Sequence, residues 1–284
     1  MDCKIKNLFI VLILTTVCLS QWCYADNFRT RWHTIDEPAQ TYSDVAAEVE
    51  FGRQVAAYVL GREALLDNPE LTRYLNLIGK SLALHSARSD LEFRFGILQS
   101  DSINAYSTPG GYVFVTAGAL KLVKDESELA AILAHEIAHV NARHIVKQMN
   151  IHGTGNHDLA MFTRLLSASN ETTRLTLTQA INSTLTLLFE TGYRISDEFE
   201  ADRIALMILA DSGYEPLALP RYLQRADNHT ASHPATKKPT HPSSKERFAQ
   251  LQSVVDDENF SAIRLTQNRA AVMQVRFSKY FSME

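Results

Sequence analysis

His135-Glu136-Ile137-Ala138-His139 is the stretch of this 284-residue sequence that decides the expected fold and chemistry. An α-helix turns once every 3.6 residues, so the two histidines lie on one face and can offer two imidazoles to one cation. Glu136 stands at the edge of that face, where a carboxylate can act as a general base. Zinc-assisted hydrolysis requires this combination, and one Zn²⁺ per chain is therefore the predicted cofactor.

The motif lies within a predicted helix from Asp125 to Met149, a stretch without glycine or proline. Asp125 and Glu128 have the spacing of a capping box, which is typical of a helix start. His144 follows His135 by nine residues, which on one continuous helix places it about half a turn from the ligand face. We therefore predict that His144 packs or forms hydrogen bonds and does not bind the metal.

A third ligand is predicted within Glu198-Phe199-Glu200-Ala201-Asp202, further along the chain. A catalytic zinc site takes three protein ligands and leaves the fourth position for water. Glu198 and Asp202 are four residues apart and share one face of a predicted helix, whereas Glu200 points elsewhere. Glu198 is the predicted ligand and Asp202 the acceptor that orients a ligating imidazole. Taken alone, these residues would be interpreted as the acidic, solvent-exposed first turn of a helix. The upstream His-Glu-x-x-His motif favours the interpretation as metal ligands.

Residues 1–25 have the pattern of a signal peptide, with a basic start, a short apolar run and Cys23-Tyr24-Ala25 before the predicted cleavage. All three cysteines lie in this leader, so we expect the mature chain, 26–284, to be one domain without disulfides or thiolate ligands. Lipoprotein anchoring through Cys18 or Cys23 is the weaker alternative, since their flanking residues suit it poorly. A net charge of −4 gives no electrostatic case for nucleic acid or anionic membrane as a partner, and no later segment has the pattern of a membrane span.

The rest of the sequence predicts a mostly helical domain with a few short strands. Tyr112–Val115 is expected to be an edge strand over the cleft, able to bind an extended substrate, although an ordinary sheet strand fits equally well. The Leu- and Thr-rich stretch Leu165–Leu188 could be core, cleft wall or partner surface. The predicted elements are helices Ser43–Leu66, Asn68–Ser86, Ala117–Val123, Ser196–Ser212 (capped by Ser196, ended by Gly213) and Lys245–Val255, a strand Leu91–Leu98, two extended pieces within Asn104–Val115, and loops Ile151–Asp158 and Asp227–Ser244.

With both motifs in view, the chain resembles the M48 zinc metallopeptidases, specifically their short exported bacterial branch. The resemblance runs from about Glu48 to Phe248 and rests on Asn104–Tyr112, on His135–Val140 with Arg143-His144, on Glu198–Asp202 and on Thr240–Ser243. It implies an α+β, mostly helical zincin-like domain, with one small sheet beside the two helices that carry His135, His139 and Glu198. It also implies a periplasmic endopeptidase that acts on misfolded or misassembled envelope proteins. Relatives with a C-terminal helical-repeat extension assist outer-membrane assembly; we expect no such module here, and the assembly machinery is an open partner.

His241 is expected near the metal because Thr240-His241-Pro242-Ser243 resembles a family segment. It could plug the fourth coordination position or donate a hydrogen bond to the oxyanion of the transition state. Alternatively, it is a loop histidine without a role in the site. Family members commonly carry Ser-Arg before the glutamate ligand, whereas Arg194-Ile195 stands here, so Arg194 is the candidate replacement. The main alternative function is an envelope chaperone or assembly factor with a latent zinc site. The presence of Glu136 argues against this alternative, because a structural zinc site needs no general base.

Overall fold

The computed structural model describes residues 42–88, 91–148, 171–232, 241 and 244–281. All of them fall within one compact unit, Pro38–Glu284. The predicted leader and the predicted loop Ile151–Asp158 lie outside the described residues, so the domain boundary at residue 26 stays a prediction. Among the described helices, none combines the length and the apolar character needed to cross a membrane.

Helices make up most of the described chain, and one small sheet accompanies them. In chain order the elements are α1 (Tyr42–Arg62), α2 (Pro69–Ala83), β1 (Arg94–Leu98), β2 (Ala105–Thr108), β3 (Tyr112–Thr116), α3 (Ala117–Leu122), α4 (Glu126–Asn141), α5 (His144–Gln148), α6 (Glu171–Thr186) with a π-helical continuation (Leu187–Thr191), α7 (Ile195–Ser212), α8 (Ala218–Ser232), α9 (Ser244–Asp257), a 3₁₀ turn (Phe260–Ala262) and α10 (Gln267–Phe281). Neither helix α10 nor helix α8 was predicted. The prediction that a loop begins at Asp227 is wrong, because α8 continues to Ser232.

The sheet has the order β1-β3-β2, with β1 parallel and β2 antiparallel to β3. The hairpin between β2 and β3 turns through Gly110 and Gly111, whose positive φ angles of 75° and 91° suit glycine. The prediction that Tyr112–Val115 is an edge strand is wrong, because β1 pairs with the side of β3 that the hairpin leaves open. The strand at the edge of the sheet beside α4 is β2.

Helix α4 is the centre of the fold, and every one of its residues is buried. Its start agrees with the predicted capping box: the Asp125 side chain accepts a hydrogen bond from the Glu128 N–H at 2.9 Å, and Glu128 Oε2 accepts one from the Lys124 N–H. At the other end the single long helix that we predicted is wrong. Arg143 has a φ of 53°, which interrupts the helix after α4, and α5 begins only at His144. His144 is therefore not on the helix that carries His135.

The last part of the Leu- and Thr-rich stretch, residues 181–188, contributes to the core, whereas Leu175 earlier in it is 59% exposed. Ile181, Leu185 and Leu188 are buried and pack in one cluster with Phe51 of α1 and Tyr106 of β2. Of the three options left open by the sequence, burial in a shared apolar cluster supports core packing for this part. The same cluster includes Leu98, Tyr106 and Phe114, one residue from each strand of the sheet.

Candidate metal centre

Four side chains from three parts of the chain meet at one point: His135 and His139 of α4, Glu198 of α7, and His241. One ligand atom from each lies within 4.8 Å of all the others. His135 Nε2 is 3.1 Å from His139 Nε2 and 3.4 Å from a carboxylate oxygen of Glu198. The packing of α4 against α7 brings these groups together, while the i, i+4 spacing aligns the two imidazoles.

The donor set fits a divalent transition metal. Imidazole nitrogens together with one carboxylate are the ligands that zinc takes in hydrolytic sites. His135, His139 and Glu198 are almost wholly buried, whereas 17% of the His241 side chain is exposed. Three of the four donors are thus enclosed, and His241 is the more accessible one; which of them bind the metal stays a prediction.

Glu136 lies beside this cluster without being part of it. Its Oε1 is 3.8 Å from His241 Nε2, and its Oε2 is buried with no hydrogen-bond partner among the described residues. A buried carboxylate oxygen without a partner is costly and needs an explanation, and a role in chemistry is one that fits its place beside the cluster. The structure thus places Glu136 where the predicted general base must lie, and its role stays a prediction.

Asp202 and Arg247 support the ligands from behind. Asp202 Oδ1 is 3.1 Å from His135 Nδ1, which is the distance of an orienting acceptor, although the two atoms do not have the geometry of a hydrogen bond. Arg247, on α9, donates to both oxygens of Asp202 at 2.7 and 2.5 Å and lies 3.0 Å from Glu198 Oε2. Sequence reasoning missed Arg247, since nothing in Lys245-Glu246-Arg247 marks it. The arginine that contacts the glutamate ligand is therefore Arg247; Arg194 is an exposed N-cap.

The start of α7 also differs from the prediction. Arg194 is the N-cap and makes no side-chain capping bond, while the Ser196 hydroxyl donates to Asp197. The prediction that Ser196 caps this helix is wrong. The predicted end is confirmed, because Gly213 adopts the left-handed conformation with a φ of 74°.

The ionisation of Glu198, Asp202 and His135 depends on the charged side chains around them. Burial alone would raise the pKa of Glu198, but His241, Arg247 and His135 outweigh it and hold that pKa well below its usual range. The pKa of Asp202 is lowered in the same way, with burial opposed by Arg247 and His135. For His135, burial disfavours the imidazolium, yet Asp202 and Glu198 raise its pKa to about 9. Both carboxylates are thus ionised near neutral pH, the form that binds a cation.

An apolar cavity of about 80 Å³ opens next to Glu136 and His241. Ile132 of α4 and the α8 residues Leu219, Tyr222, Leu223 and Ala226 line it, and Asn104 and Ala105 at the start of β2 form another side. The cavity therefore joins the edge strand, the predicted base and an apolar wall in one cleft.

The fold and this centre together define a class: a zincin-like metallopeptidase domain, with a His-Glu-x-x-His helix and a glutamate from a second helix. Residues 69–255 match Peptidase family M48, and the chain belongs to this family. The predicted family, α+β fold class and metallopeptidase class are confirmed by this match.

Several curated relatives are similar over much of the chain. The Beta-barrel assembly-enhancing protease of Escherichia coli (strain K12) is 28% identical over 261 residues, which cover 87% of this chain and 52% of that protein. A Putative beta-barrel assembly-enhancing protease of Vibrio cholerae is 29% identical over 246 residues, covering 83% and 50%. The Mitochondrial metalloendopeptidase OMA1 of Schizosaccharomyces pombe is 31% identical over 183 residues, covering 64% and 52%. The chain spans about half the length of these relatives.

Proposed function

We propose that this chain is a zinc-dependent endopeptidase of the cell envelope that hydrolyses peptide bonds of misfolded or misassembled proteins. The observation that carries the proposal is Glu136, a buried carboxylate whose Oε2 is unpartnered among the described residues and which stands beside the four-residue cluster. A latent or purely structural metal site, as in the chaperone alternative, gives no reason to keep such a group.

His135, His139 and Glu198 would hold one zinc ion, which when bound supplies the Lewis acidity that makes water nucleophilic near neutral pH. Glu136 accepts the proton of the attacking water and passes it to the leaving amine. Asp202 keeps the His135 ring in the orientation that turns Nε2 toward the cluster. Arg247 neutralises the two carboxylates that face it, so that Glu198 and Asp202 stay ionised in a buried place.

His241 is proposed to close the site. Its Nδ1 is 2.7 Å from Glu198 Oε1 and its Nε2 is 3.8 Å from Glu136 Oε1, so its ring stands between the third ligand and the base. Of the two predicted roles, this placement favours the plug over the oxyanion donor.

We propose that an extended substrate pairs with β2 and places an apolar side chain in the adjoining cavity. Within the described chain, β2 is the last strand of the sheet on this side, and Asn104 and Ala105 reach the cavity wall. Main-chain pairing at a sheet edge requires no particular side-chain sequence, and an apolar cavity takes residues that folded proteins bury. Both features suit unfolded clients.

We propose a periplasmic location, with the signal peptide cleaved after Ala25, on the pattern of residues 1–25. The printed name of the bacterial relatives, beta-barrel assembly-enhancing protease, supports the outer-membrane assembly machinery as a proposed partner. The similarity to mitochondrial OMA1 extends over a smaller share of the chain. An envelope chaperone with a latent site is the second candidate, and the observation that favours it is that His241 is the fourth side chain of the cluster.

Zinc content and casein cleavage, measured side by side for the mature protein and its Glu136→Gln variant, test the proposal. Zinc in both and cleavage by the wild type alone are expected. Zinc in both with cleavage in neither would favour the chaperone alternative, and cleavage by Glu136→Gln at the wild-type rate would remove Glu136 as the base. Glu70→Gln is the matched control: it makes the same substitution at an exposed glutamate of α2, and the variant should cleave casein like the wild type.

A further inference from the structure

A chain of hydrogen bonds leads from His139 away from the cluster to the protein surface. His139 Nδ1 is 2.8 Å from His144 Nδ1, and His144 Nε2 is 3.3 Å from Glu200 Oε2. Both histidines are buried, whereas 44% of the Glu200 side chain is exposed. Sequence reasoning assigned no role to Glu200 and placed His144 on the far side of a continuous helix.

When both imidazoles are neutral, the donors and acceptors of His139, His144 and Glu200 can form these two hydrogen bonds with only one placement of the protons. An ionised carboxylate only accepts, so His144 must donate from Nε2 to Glu200. A neutral imidazole carries one N–H, and His144 Nδ1 is therefore the acceptor of the bond from His139 Nδ1–H. This leaves the lone pair of His139 on Nε2, the atom that faces His135 Nε2 at 3.1 Å and Glu198 Oε1 at 3.7 Å.

We propose that His144 and Glu200 are positioning residues that fix His139 in the tautomer and ring orientation in which Nε2 binds the metal. The inference rests on the metal site of the proposed function. A ligating histidine is commonly held by a carboxylate on its other nitrogen, and here a second histidine is interposed between the two. Tyr193 adds to the restraint, because its ring stacks on that of His139 with centroids 4.0 Å apart.

The backbone between α4 and α5 makes this contact possible. Arg143 adopts a φ of 53°, uncommon for a residue other than glycine, and after this break in the helix His144 Nδ1 lies 2.8 Å from His139 Nδ1. On the continuous helix expected from the sequence, the same side chain would point away from the ligand face. An uncommon backbone conformation next to a functional site is thus accounted for by the contact it creates.

The two ligating imidazoles of α4 are consequently held in different ways. Asp202, buried and bound by Arg247, contacts His135 directly. His139 depends on a carboxylate at the surface, beside a cavity of about 260 Å³ between α7 and α9 that also borders Arg203 and Gln250. Because Glu200 is exposed, its replacement removes the outer end of this chain of hydrogen bonds with little disturbance of the packing.

Zinc affinity, measured by competition with a chelator on the mature protein, tests the proposal. Glu200→Ala should weaken zinc binding about tenfold or more, the usual range for loss of a supporting carboxylate. Glu200→Gln keeps an acceptor oxygen and should restore part of that loss. Glu70→Gln is the control for removal of one surface carboxylate and should bind zinc as the wild type does.

Two further measurements separate the outcomes. In the cobalt-substituted protein the visible absorption bands should shift for Glu200→Ala, because they report the ligand field at the metal; the metal-free unfolding midpoint should not change. The proposal is overturned if Glu200→Ala and His144→Leu bind zinc with wild-type affinity. It is also overturned if Glu200→Ala loses zinc affinity and metal-free stability to the same extent and Glu200→Gln restores neither. If His139→Ala binds zinc as tightly as the wild type, the metal site itself fails, which is a different result.

Discussion

Arg247→Met removes the guanidinium that lies between Glu198 and Asp202. Arg247 is fully buried, and its three nitrogens lie 2.5 to 3.0 Å from oxygens of those two carboxylates. Methionine fills much of the same volume, so the loss is electrostatic and not a cavity. Two buried carboxylates then lack the cation that neutralises them.

The magnitude follows from this geometry. Removing one partner of a buried ion pair costs about 3–5 kcal/mol, because the remaining charge stays desolvated and uncompensated. Here one guanidinium serves two carboxylates, but His135 and His241 still contact them, so we expect a loss of about 4 kcal/mol in the free energy of unfolding of the metal-free protein. That is a large fraction of the stability of an ordinary domain.

Urea denaturation in the presence of a chelator measures this loss. Arg203→Met, an exposed arginine on α7, is the matched control and should change the free energy of unfolding by no more than about 0.5 kcal/mol. Arg247→Lys keeps the charge but lacks the planar fork, so its loss should lie between the two. A loss below about 1 kcal/mol for Arg247→Met would refute the reasoning, since the two carboxylates would then not need the arginine.

Three other substitutions test separate parts of the structure. A Cβ at Gly52 would lie 1.6 Å from the Pro109 carbonyl oxygen, so Gly52→Ala should lower the free energy of unfolding by roughly 3 kcal/mol or more in a denaturant titration; an unchanged midpoint would contradict this packing of α1 on the hairpin. Ala226→Phe should fill the apolar cavity and reduce casein cleavage at unchanged zinc content, whereas Gln224→Phe, on the exposed side of the same helix, should leave cleavage unaltered. His241→Ala should raise cleavage if the ring plugs the site, and a fall would assign the oxyanion role instead.

The sequence predicted those parts of the site that local spacing encodes. His135 and His139 repeat at one helical turn, as do Glu198 and Asp202, and each pair therefore shares a face whatever the rest of the fold does. That the two helices pack together was inferred from family resemblance. The structure brings His135, His139 and Glu198 into one cluster and places Asp202 behind His135.

The parts that sequence reasoning missed depend on contacts between distant segments. Arg247 reaches the ligands only because α9 packs on α7, and no local pattern distinguishes it from other arginines of a helix. The position of β3 in the centre of the sheet depends on β1 pairing with it across the chain. In helix α10 only Met273 and Phe277 are buried, which is too narrow an apolar stripe to predict from periodicity.

The break at Arg143 belongs to the same class of feature. A positive φ at an arginine has no signature in the sequence, because arginine favours helices and no glycine or proline marks the position. The contact between His144 and His139 could not be predicted for this reason, although the two residues are only five apart.

The distribution of the cluster over the fold bears on how the site could open. His135, His139 and Glu198 sit on α4 and α7, which pack closely against each other, so displacing any of them means moving a buried helix. His241 lies in neither a helix nor a strand and is the most exposed of the four. Its movement would break its bond to Glu198 and uncover Glu136 Oε1, at a cost of about 1.5–3 kcal/mol for one hydrogen bond to a charged group. A binding substrate can offset a cost of this size, whereas unpacking α4 would cost far more, and His241 is therefore the group through which substrate should control the site.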